Sequence, residues 1–114
     1  MATPSGHTEA IAASKVCGSD VFNVEGKKIG KVEDVVLAKM SDQIKFAIVG
    51  FGGFLGIGEK YHAVPWKSLD YRKSEGGYVV PYSKEQLQAA PYYEKADLIK
   101  NDGAEGIAAA RALM

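Results

Sequence analysis

Histidine, cysteine and carboxylate side chains bind metals and move protons, and in this chain the two histidines and one cysteine are few and lie apart from one another. His62 stands between Tyr61 and Ala63, with Glu59 the nearest upstream carboxylate; one imidazole and one carboxylate do not make a metal site, and His7 lies far away near the start. His62 therefore reads as a histidine at a strand surface or rim. The neighbours Glu33 and Asp34, and the pair Asp97 and Asp102, lack an apolar pocket that would drive their pKa values apart. Glu33 reads as solvated. No G-x-S-x-G frames a nucleophilic serine, and Cys17, the single cysteine, reads as a small half-buried filler. No catalytic residue, metal ligand or cofactor is expected, and the chain reads as a non-enzyme.

The most unusual segment is Gly50-Phe51-Gly52-Gly53-Phe54-Leu55-Gly56-Ile57-Gly58-Glu59-Lys60. A phosphate-cradling loop is the first chemistry to test. G-x-G-x-x-G from Gly50 would need glycine at Leu55, and Glu59 interrupts a G-x-x-x-x-G-K running from Gly53 to Lys60. A tight bend between strands accounts for the glycines but not for Phe54, Leu55 and Ile57. Such side chains either fold over a barrel mouth or enter a contact with another chain, and burying Phe54 and Leu55 alone contributes roughly 3–6 kcal/mol. With Val49 and Phe51 beside them, a self-association surface is expected over Val49, Phe51, Phe54, Leu55 and Ile57. Ile107, Ala110 and Met114, at helical spacing, give the last helix a face that docks either on its own barrel or on a second copy, and a homodimer is the expected assembly.

Fourteen Lys and Arg against fourteen Asp and Glu leave a net charge of zero, so nothing pulls the chain toward a phosphate backbone or an anionic bilayer. Lys27, Lys28 and Lys31 form a small basic patch, but Glu25, Glu33 and Asp34 surround it. It reads as a mixed, solvated face, and direct nucleic-acid binding is not expected. Residues 1–13 carry neither a basic start nor an apolar run, and no stretch approaches the roughly 20 apolar residues that span a bilayer. With a lone thiol, this favours a cytoplasmic protein without membrane insertion. Partners are then recognised by shape and apolar contact more than by long-range steering.

The elements that must position these residues are mostly strands. The 114 residues, 46% of them apolar, suffice for one core. From Val16 to Pro81, runs rich in Val, Ile, Phe and Tyr alternate with turn residues about every ten positions, an all-β signal of about six strands. Val21-Phe22 and Lys28 to Ala38 form a first hairpin around Gly26. The apolar phase breaks within its return strand, which predicts a bulge or bend near Gly30. Gln43 to Phe51, Lys60 to Trp66, Leu69 to Arg72 and Tyr78 to Pro81 complete the set, with both faces of the Gln43–Phe51 strand apolar toward its end. Ser83-Lys84-Glu85-Gln86 matches a capping box opening a helix of about two turns, ended by Pro91, with Leu87 and Ala90 plugging one end of the barrel. Asp102 and Glu105 cap an expected last helix from Gly103 to Met114. The chain divides into a mobile N-terminal segment (1–13), a barrel domain (14–93) and a partly helical tail (94–114).

Gly26 to Leu37 (G-K-K-I-G-K-V-E-D-V-V-L), the run Gly52 to Lys60, Ala63-Val64-Pro65-Trp66 and Gly77-Tyr78-Val79-Val80, in this order, resemble the PRC-barrel domain. The resemblance covers about residues 14–93. It implies a small β-barrel without an active site that binds other proteins, similar in fold to the cytoplasmic barrel of the photosynthetic reaction centre H subunit and to the C-terminal domain of the ribosome maturation factor RimM. The first carries a membrane helix and the second a further N-terminal domain, and neither is expected of these 114 residues. The chain looks instead like the stand-alone bacterial PRC-barrel proteins. An accessory factor of a photosynthetic or other membrane electron-transport complex, and a ribosome-maturation-type factor, are the alternative readings.

Overall fold

A computed structural model describes residues 11–41, 43–51, 61–72 and 74–113. Its six strands fall where the alternation of apolar residues predicts them: β1 (Asp20–Phe22), β2 (Lys28–Ala38), β3 (Gln43–Gly50), β4 (Tyr61–Val64), β5 (Asp70–Arg72) and β6 (Gly77–Val79). A four-residue helix α1 (Ala13–Val16) precedes them, a 3-10 turn (Trp66–Ser68) separates β4 from β5, and α2 (Lys84–Ala89) and α3 (Lys95–Ala112) follow. One sheet holds all six strands in the order β4-β3-β2-β1-β6-β5. Every pairing is antiparallel except β1 with β6, which is parallel. The sheet is mainly β and barrel-like as expected, but β4 and β5 remain its two edges and no ladder joins them among the described residues.

Register shifts bend the sheet. Val21 opposes Gly30 while Phe22 opposes Lys28, so Ile29 is the extra residue of a bulge beside Gly30, where the broken apolar phase places one. Two more shifts interrupt the β2–β3 ladder, at Val32/Asp34 and at Val36/Leu37. Gly30 is required as glycine because a Cβ there would collide with the Gly50 carbonyl of the neighbouring strand. The β1–β2 turn is held by buried Asn23, whose side-chain oxygen accepts from the backbone N–H groups of Glu25 and Lys27 at 3.0 Å each.

Alternation along β3 serves two cores. Ala47 and Val49 point to the inner face with Val21, Val32, Val64 and Leu87, while Phe46 and Ile48 point to the outer face. There the chain covers them with α3: Leu98 and Ala110 are buried against Phe46, Ile48 and Ala63. The tail is thus part of the folded unit: a helical stretch from Lys95 that was not expected precedes the expected last helix. Leu98 supplies the reason, since its burial anchors a turn that carries no side-chain cap at Glu94. Residues 100–103 are non-helical and break α3 into a first leg, 95–99, and a second leg, 104–112.

Candidate functional site

Of the residues expected at a contact between copies, Val49 and Phe51 are instead 0% and 6% exposed and belong to the inner core. They are committed to the chain's own packing. Ile107 is half-buried in the outer cluster through the second leg of α3. Phe54, Leu55 and Ile57 of the glycine-rich run, and Met114, lie outside the described residues. The two-faced apolar pattern of β3 is satisfied within one chain, because α3 covers the outer face.

His62 is not at a rim. It is 4% exposed, stacks edge-on against Phe51 at 5.1 Å between ring centroids, and its Nε2 lies 3.0 Å from the Leu87 carbonyl. A carbonyl only accepts, so Nε2 carries the proton and ties β4 to α2. The reason lies in α2, whose capping box forms as read: Ser83 Oγ accepts from Gln86 N at 3.0 Å, and the Gln86 side chain accepts from Ser83 N at 2.8 Å. Leu87 enters the inner core and its carbonyl meets the imidazole. Nothing near His62 in sequence carries that information.

Of the carboxylates that sequence singles out, Glu33, Asp34 and Asp97 sit in exposed ion pairs. Lys95 Nζ lies 3.4 Å from Asp34 and 3.7 Å from Glu33, and Lys100 pairs with Asp97 at 3.1 Å. That hydrogen bond and charge hold the Lys100 ammonium above its ordinary pKa. Glu33 is therefore a rim partner of Lys95 that sequence reads simply as solvated. Cys17 is half-buried, its Sγ 4.0 Å from Asp34. Lys28, of the mixed basic patch, pairs with Asp20 at 3.1 Å. Such pairs orient a surface and contribute little to stability.

Among the described residues, three surface features stand out for recognition. A cleft of about 520 Å³ runs between β4, α2 and the end of α3, lined by His62, Ala63, Tyr82, Ala89, Pro91 and Leu113. A second, of about 440 Å³, lies between the β1–β2 turn and the β5 edge, where Val24, Ser68, Asp70 and Arg72 meet. The third is the far end of the β2–β3 ribbon, where Leu37 is 56% and Met40 98% exposed and Ile44 sits directly opposite Leu37. Sequence reasoning passed over this tip, although an eleven-residue strand paired with an eight-residue one is long enough to overhang a small barrel. Among the described residues no three metal-binding side chains cluster, and no helix is long and apolar enough to cross a membrane.

The PRC-barrel domain family matches residues 8–87, more than half of the chain, and spans every strand together with the first part of α2. No curated protein matches the chain.

Proposed function

The chain belongs to the PRC-barrel family, and from that premise we propose that it is a non-enzymatic protein-interaction module, acting through self-association and the binding of protein partners. The observation that carries this reading is the apolar tip of the β2–β3 ribbon. Leu37 and Met40 stand in water on a segment that the chain's own cores do not use, and exposed apolar groups gathered on one projection mark contact sites. The engagement of Glu33, Asp34 and Asp97 by lysines supports a surface built for docking over one built for proton transfer. Phe54, Leu55 and Ile57, the apolar residues of the glycine-rich run, are a second contact in this reading. A homodimer in the cytoplasm is the assembly this reading favours.

Light scattering over a wide concentration range tests it, on wild type, on Leu37→Lys/Met40→Lys and on Leu55→Asp. A wild-type dimer is expected, converted to a folded monomer by whichever change strikes the contact. A wild type that stays monomeric throughout removes self-association from the reading.

A further inference from the structure

Among the described residues, the sharpest backbone irregularity lies inside α3. Asn101, Asp102 and Gly103 follow one another at φ of 55°, 59° and 76°. Residues with a Cβ enter this left-handed region singly, because the Cβ crowds the following carbonyl, and glycine alone does so freely. Three in succession, two of them not glycine, persist only where the surroundings over-determine them. Upstream, the first leg is pinned by buried Leu98 and by Lys95 on Glu33 and Asp34. Downstream, Gly106 lies so close on the Phe46 ring that a Cβ would collide with it, and Ala110 is buried. Between them the Lys45 ammonium donates to the Asp102 carbonyl at 3.1 Å, an exposed bond.

Released from Phe46, the second leg has no reason to keep that turn. Residues 95–112 then relax toward one straight helix, about 27 Å long at 1.5 Å per residue. The freed leg presents Ile107 and Ala110, three apart on one face, and the sheet presents Phe46 and Ile48. Each of these surfaces needs cover, and each is shaped to the other; a second copy offers both at once.

We propose that the second leg of α3 exchanges between two copies of this chain, each docking residues 104–112 on the Phe46–Ile48 face of the other. This rests on the self-association reading and names the segment that performs it. Exchange retains the contacts of the docked leg while both copies lose the left-handed turn, and its cost is that of association, so concentration sets the balance. The contact is reciprocal and closes at two chains.

Two hinge variants push the equilibrium in opposite directions. Asn101→Gly/Asp102→Gly relieves the turn and favours the closed monomer; Asn101→Ala/Asp102→Ala strains the turn and strengthens the straight helix. At about fivefold per hinge and two hinges per dimer, the dimer dissociation constant by light scattering rises about 25-fold in the first and falls comparably in the second. Far-UV circular dichroism checks that each is folded. Topology is read by a nitroxide on the exposed Ala108→Cys in a Cys17→Ser background, co-refolded with nitrogen-15-labelled chain that lacks the nitroxide. Broadening of the Phe46, Ala47 and Ala63 amides in the labelled chain is expected. A dimer without that broadening, its dissociation constant equal in both hinge variants, overturns exchange and leaves self-association standing. A chain monomeric at every concentration, the alanine variant included, overturns both.

Discussion

Gly106 and Gly18 are both glycines for steric reasons, but different ones. At Gly106 an added methyl meets the Phe46 ring, so Gly106→Ala is expected to cost about 1–3 kcal/mol by overpacking in urea denaturation. Gly18 has open space around it and φ of +88°, so Gly18→Ala costs about 1 kcal/mol through backbone conformation alone. Finding the two equal would remove the contact argument at Gly106. Tyr78 carries a different kind of constraint. Burial, and then the neighbouring Tyr71, raises its phenol above the ordinary value. A raised folded pKa means the folded state holds its proton more tightly, so this stabilisation is complete below about pH 10 and lost as pH rises through the folded value. Tyr78→Phe should therefore lose less in melting temperature than wild type between about pH 8 and about pH 11. Parallel losses in the two proteins would show that other groups govern the alkaline limit.

The capping box at the start of α2 joins a local signal to a distant consequence. Ser83→Ala is expected to cost about 1 kcal/mol and to fray the turn that delivers Leu87 to the inner core and its carbonyl to His62. The chemical shift of the His62 ring is the measurement; no change there would mean that packing alone holds α2 in place. Such local signals are the ones legible in the residues: Ser83 and Gln86 are three apart, and the phase break around Gly30 falls within one strand. The burial of His62 was not legible, because what covers it arrives with α2, well over a strand's length downstream. Nor was the first leg of α3, where Leu98 and Ile99 stand among charges and only the sheet beneath makes a helix of them.

Taken whole, the molecule has two apolar clusters on opposite faces of one sheet, and β3 belongs to both. Leu98→Ala, expected to cost about 2–5 kcal/mol, strikes the outer cluster, yet fluorescence of Trp66, which packs on the inner one, should shift in step with far-UV circular dichroism. Separate midpoints would show two independent units. That both faces of β3 become apolar toward its end was plain from Phe46 to Val49, but alternation says only that a face must be covered; whether by the same chain or another depends on where α3 runs. The parallel pairing of β1 with β6 bears on how the chain is made. Residues 20–22 leave the ribosome more than fifty residues ahead of their partners 77–79, so one side of β1 stays unpaired over that interval of synthesis. The β1 side of the nascent sheet stays open until β6 arrives, and closing that gap is the step expected to limit folding.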